Sequence, residues 1–151
     1  MTKQRKFTSR IAIWLLIIPV FIACEKEASE TDRDRTVRLL SNNVAKEWGV
    51  DATFIDDVSQ PVSACDSSYI LTMRSDFTWT EIYLSLICYQ EGTGDWSLNE
   101  SNDIITINYI DKISGQEVEQ LFEINELTES VFEYQFADRN QLRRVRLSHL
   151  N

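Results

Sequence analysis

The sequence predicts an all-β domain, an up-and-down antiparallel β-barrel of about eight strands with a short N-terminal helix. Three observations carry this. From Trp48 onward, apolar side chains recur at every second residue in short runs. Clusters of Asp, Asn, Ser and Gly separate those runs at regular spacing. No long helical periodicity interrupts them, which disfavours a parallel sheet with helical crossovers.

The 151 residues are enough for one domain with a modest core, and 43% hydrophobic content with four Gly and two Pro is a globular composition. The chain opens with Lys3, Arg5, Lys6 and Arg10, followed by an apolar run from Ile11 to Ile22. Such a run is shorter than the roughly 20 residues a membrane-spanning helix needs and has the proportions of a signal-peptide core. Phe21-Ile22-Ala23-Cys24 then resembles the lipobox of bacterial lipoproteins, with Phe21 at the usual Leu position. That resemblance implies a signal peptide over 1–23 and lipidation of Cys24 as the first mature residue. It places the protein at the outer membrane, facing the periplasm or the cell surface. Ordinary cleavage or an uncleaved anchor are the alternatives.

Removing residues 1–23 takes away four basic and no acidic side chains, so the formal charge goes from −9 to −13. A chain this acidic repels nucleic acid and anionic lipid, so its membrane partner is reached through acyl chains, not a basic patch. Three cysteines leave one over in an exported protein. Lipidation of Cys24 accounts for it and leaves Cys65 and Cys88 as a pair in an oxidising compartment; two buried free thiols are the alternative.

Residues 24–36 are polar and charged, a flexible tether ahead of a domain over 37–151. Glu25, Glu27 and Glu30 fall just after the lipid site, where an acidic stretch resembles a surface-display signal of some Gram-negative groups. Thr36 to Glu47 has the spacing of a short helix, with Val37, Leu40 and Val44 on one face. Trp48, Val50, Ala52 and Phe54 then alternate with polar or smaller residues as a half-buried strand, broken at Asp56-Asp57 and Ser59-Gln60-Pro61.

Cys65 to Leu98 is the centre of the pattern. A hairpin carries Tyr69, Leu71 and Met73, a turn at Ser75-Asp76, then Phe77 and Trp79, with Cys88 closing its second strand. A Cys65–Cys88 bond would tie its base and stabilise by about 3 kcal/mol. Ile82, Leu84 and Leu86 sit in the opposite phase to Phe77 and Trp79, which predicts a β-bulge near Thr80-Glu81. Further strands follow, with inward residues Trp96 and Leu98; Ile105, Ile107 and Tyr109; Val118, Phe122 and Ile124; Phe132, Tyr134 and Phe136; and Val145 and Leu147. Glu117, Glu119, Glu123 and Glu133 fall on the opposite, solvated phase.

In order and spacing this chain resembles the lipocalin-like domains of lipoproteins from Bacteroidetes-type bacteria over most of residues 37–150. The matching residues are Leu39-Leu40 leading to Trp48, Cys65, Asp76 before Phe77-Thr78, Cys88, Gly94-Asp95-Trp96-Ser97-Leu98, Ile105 and Ile107, and Phe122-Glu123-Ile124 leading to Leu127-Thr128. Two departures stand out. Lys46 occupies the position two before the first-strand Trp, where lipocalins proper have Gly, and Phe77 stands where the turn usually has Gly. The resemblance implies a barrel and a hydrophobic-ligand role, and it supplies no catalytic residues.

The residues point the same way. His149, near the C-terminus, is the single histidine and reads as a surface residue, which argues against a His-based nucleophilic site. No cofactor motif or metal cluster is evident: Gly92-Thr93-Gly94 lacks a following helix, and no EF-hand spacing occurs around Asp56-Asp57 or Asp111. An envelope hydrolase using paired carboxylates is the weakest of three readings. The first is a lipid-anchored barrel that binds a small hydrophobic ligand through Trp48, Tyr69, Trp79, Trp96 and Tyr134. The second is a barrel filled by those same rings, acting through its outer surface as a partner-binding or inhibitory module for an envelope protein. Arg143, Arg144 and Arg146 form a basic cluster that is expected to pair with the neighbouring Glu-rich strand.

Overall fold

A computed structural model describes residues 29–151 apart from residues 86 and 89. The expected signal peptide, Cys24 and the start of the tether lie outside the described residues.

A helix, α1 (Asp32–Ser41), comes first. Thr31 caps it by accepting a hydrogen bond from the Asp34 amide at 3.1 Å, and Asp32 and Asp34 lie in its first turn, where acidic groups suit the helix dipole. Asn42 ends it in the left-handed conformation at φ 49°, with its amide on the Arg38 carbonyl. The helix thus starts four residues before the expected Thr36 and stops before Val44, which lies outside it and is exposed. The last five residues of the expected tether belong to it. Leu39 and Leu40 are buried, and Leu40 joins the barrel core.

Nine strands follow: β1 (Ala45–Ile55), β2 (Val58–Gln60), β3 (Tyr69–Arg74), β4 (Thr78–Tyr83), β5 (Glu91–Leu98), β6 (Ile104–Ile110), β7 (Glu117–Leu127), β8 (Val131–Asp138) and β9 (Gln141–His149). All pairings are antiparallel; β1 joins β3 on one edge and β9 on the other, so eight strands close into a barrel with β2 as an added ribbon beside β1. The predicted all-β barrel with a short helix is the observed fold. Closure leaves the barrel strands without a free edge. The β1–β2 ribbon turns at Asp56 and Asp57, both with positive φ (48° and 63°), the conformation a tight two-residue hairpin turn requires.

Directly paired residues share a face, so the register sorts inside from outside. The bulge expected at Thr80-Glu81 is absent: β4 pairs without a shift from Trp79 to Tyr83, and Trp79, Glu81 and Tyr83 all face the interior. The register shifts lie elsewhere, between Val50 and Ala52 of β1 and between Ile124 and Glu126 of β7. The first shift reverses the expected phase at the end of β1. Thr53 and Ile55 pair with the inward residues Val145 and Arg143, while Phe54 turns outward, under the Arg144 guanidinium at 4.2 Å from the ring centre.

One end of the barrel is solid. Trp48 and Leu40 are fully buried there with Met73, Trp96, Leu98, Ile105, Phe132 and Leu147. The Trp48 indole N–H donates to the Leu40 carbonyl at 3.0 Å, and that of Trp96 to the Arg74 and Thr78 carbonyls at 3.1 Å each. Lys46 completes the seal. Its buried ammonium donates to the Leu39 carbonyl (3.0 Å) and the Glu129 carbonyl (2.8 Å), lies 4.4 Å from the centre of the Trp48 ring, and so ties the end of α1 to the β7–β8 turn. Burial lowers the Lys46 pKa, and the Glu129 carboxylate at 3.7 Å opposes that shift. His149 is half-buried and not free at the surface as expected, because its ring packs edge-on against Trp48 at 6.0 Å.

Outside, two arginines of the basic cluster, Arg144 and Arg146, pair with glutamates of the neighbouring strands as expected, whereas Arg143 faces inward and pairs with Asp138. Arg146 meets Glu126 at 3.0 Å and Glu133 at 3.2 Å, and Arg144 meets Glu133 at 3.4 Å and Asp57 at 3.2 Å. Glu133 is on the outer face, yet these arginines cover it to 7% exposure, so it is not the solvated residue its phase suggested.

Candidate ligand-binding site

The opposite end of the barrel is open. Inward residues there are Val50, Thr53 and Ile55 of β1, Tyr69 of β3, Glu81 and Tyr83 of β4, Gln120 and Phe122 of β7, Tyr134 and Phe136 of β8, and Arg143 and Val145 of β9. They line a cavity of about 550 Å³. A smaller void of about 60 Å³ lies deeper, against Leu71, Trp79, Ile107 and Tyr109. Tyr69, Glu81, Gln120 and Phe122 line both spaces and form the partition between them.

Side-chain size explains why the barrel is hollow at this end. The closed end meets Trp and Phe from several strands at one level. Towards the mouth β5 contributes only Gly94 and Gly92 to the inner face, opposite Trp79 and Glu81. A Cβ at Gly92 would stand 2.7 Å from a Glu81 carboxylate oxygen, so this glycine leaves the space that the carboxylate occupies. A Cβ at Gly94 would collide with the Asn108 carbonyl, because β5 and β6 approach closely there.

The rim is braced. Cys65 and Cys88 are paired at disulfide distance, with Cα atoms 5.5 Å apart, 23 positions apart in sequence. Cys65 precedes a single 3₁₀ turn, Asp66–Ser68, that leads into β3; Cys88 lies past the end of β4, in the β4–β5 loop, and not within a strand. The pair therefore joins two loops beside the mouth. Asp66, also on the cavity wall, is held by the Ser63 hydroxyl at 2.6 Å. Asp56 binds the Leu142 amide through its carboxylate at 3.0 Å and the Leu142 carbonyl through its own amide at 2.9 Å, which fixes the β1–β2 turn against β9.

The cavity wall is aromatic with a polar seam. Tyr69 and Tyr83 meet edge to face at 5.0 Å, and Phe122 stacks on Tyr134 at 4.5 Å. The Tyr69 phenol and the Glu81 carboxylate both line the cavity. Burial raises the Glu81 pKa, and the Tyr69 phenol opposes that shift. Burial likewise raises Tyr69 and Tyr134, and it pushes Tyr83 up to about 12, with the Glu81 and Asp66 charges adding to the effect. The phenols are therefore neutral donors at physiological pH.

Of the five residues expected to touch a ligand, Tyr69 and Tyr134 line the open cavity, and Trp79 lines the deeper void. Trp48 and Trp96 are in the sealed end, with their indole N–H groups held by backbone carbonyls. Glu81 and Gln120 were not singled out from sequence as lining residues, and Arg143 was read only as part of the basic cluster on the last strand. Their signal was the phase they share with their apolar strand neighbours: Glu81 lies two residues from Trp79 and from Tyr83, and Gln120 two from Phe122.

No helix among the described residues is long and apolar enough to cross a membrane. Compared with known proteins, the chain matches no family model and no curated sequence.

Proposed function

We propose that this protein is a lipid-anchored barrel of the cell envelope that holds a small hydrophobic ligand. The cavity carries this reading. Its volume, about 550 Å³, falls within the roughly 300–1,000 Å³ of small-molecule sites, and apolar or aromatic walls with a few convergent polar groups are their usual lining. The Phe21-Ile22-Ala23-Cys24 pattern behind a basic and then apolar start supports the anchor. The filled-barrel alternative fits the sealed half alone. Among the described residues of the cavity, none is paired as a nucleophile with a base, so we assign no reaction.

Native mass spectrometry of the full chain, purified from its own envelope in mild detergent, tests both parts. The expected result is an acylated Cys24 and a small molecule released on activation. Val145→Trp, which places an indole in the cavity, should lower the occupied fraction severalfold and leave the acyl mass in place. Wild-type protein carrying no small molecule would overturn the binding role, and an unmodified Cys24 would overturn the anchor.

A further inference from the structure

We infer that the occupant of this cavity is an organic cation, an apolar body bearing an ammonium or amidinium group that meets Glu81. The inference rests on the ligand-binding reading above and specifies its chemistry. Four acidic or basic side chains line the cavity, and three of them are already engaged. Arg143 is paired with Asp138 at 2.8 Å, Arg144 with Asp57 at 3.2 Å and Glu133 at 3.4 Å, and Asp66 is held by Ser63 in its own turn. Glu81 has no ion pair among the described residues, and the Tyr69 phenol is its neighbour on the cavity wall. An ionised carboxylate offers about four acceptor sites, so one phenol leaves most of its capacity unused.

Aromatic rings complete the site. Tyr69 and Tyr83 flank Glu81 across and along the β3–β4 ladder, and Tyr134 and Phe122 lie on the facing wall. Ring faces attract cations, and rings beside a carboxylate are the combination that binds ammonium groups. The mature chain's charge of −13 also draws cations towards the mouth and repels anions. Gly92 keeps the carboxylate reachable, since any larger residue would fill the space beside it.

The test uses the full chain in nanodiscs of zwitterionic lipid, with empty discs as reference. Three probes share one apolar body: naphthylmethylammonium, naphthylmethanol and naphthoate. Calorimetric titration should give an affinity for the ammonium about tenfold or more above the alcohol, with the carboxylate weakest. Glu81→Gln should erase the gap between ammonium and alcohol. Alcohol or carboxylate binding as tightly as ammonium in the wild type would overturn the inference and leave the ligand-binding reading standing. A gap that survives in Glu81→Gln would do the same. Failure of all three probes to bind would overturn both. The wild-type ranking needs no variant, so the outcome does not depend on how the substitution folds.

Discussion

Glu81 sits among tyrosines on the inner wall, and burial raises its pKa. The folded chain therefore keeps a proton on Glu81 over a range in which the unfolded chain has lost it. Its contribution to stability is fully present below the ordinary glutamate pKa and falls as the pH rises through the raised value. Glu81→Gln has no such dependence. We expect the variant to melt at the same temperature as the wild type near pH 4 and a few degrees higher at pH 8, in thermal denaturation followed by circular dichroism. A variant less stable at pH 8 would mean that the ionised carboxylate supports the fold. Glu81 was hard to find from sequence because a charged residue between Trp79 and Tyr83 looks like a break in phase. A bulge explains such a break if the interior is assumed to be apolar. The interior here is apolar at one end only, and a half-open barrel tolerates an inward carboxylate that a filled one would exclude.

At the scale of elements, what was legible follows from period two. The strands from β5 to β9 show their inner faces plainly in Trp96, Ile105, Phe122, Tyr134 and Leu147, since each needs only its own alternation to be read. The shift in β1 was not legible. It is set by pairing with β9, nearly a hundred residues away, and Phe54 looks equally apolar whether it faces the core or lies under Arg144. The helix boundary was missed for a local reason: Thr31 and Asn42 cap a segment whose first turn, Asp32 to Arg35, is wholly charged and so shows no apolar stripe. The loop pair Cys65 and Cys88 closes a span of 23 residues, for which a cross-link stabilises by about 3 kcal/mol through the unfolded chain. Cys65→Ser with Cys88→Ser should lower the denaturation midpoint accordingly. Reductant should bring the wild type to the same midpoint and leave the double variant unmoved. Equal midpoints with and without reductant in the wild type would show that the two thiols are not bonded.

For the whole molecule, stability depends on β9 closing against β1. This contact brings together residues about a hundred positions apart, and it seals Trp48 behind Leu147. Removing residues 141–151 would open β1 and β8 at once and leave two unpaired edges. We expect that truncated chain to lose its cooperative melting transition and to aggregate, as measured by calorimetry and light scattering. Retained cooperative unfolding would show that the remaining strands form a core without closure.

The helix and the cavity mouth lie at opposite poles. Leu40 and Lys46 lock α1 over the plugged pole, while Ile55, Tyr83 and Arg143 ring the other. Under the proposed anchoring ahead of Asp32, the plugged pole is the one nearer the attachment point, and the mouth would face away from the bilayer. Under the same proposal a ligand would reach the cavity through water without first dissolving in lipid, a route suited to a charged amphiphile.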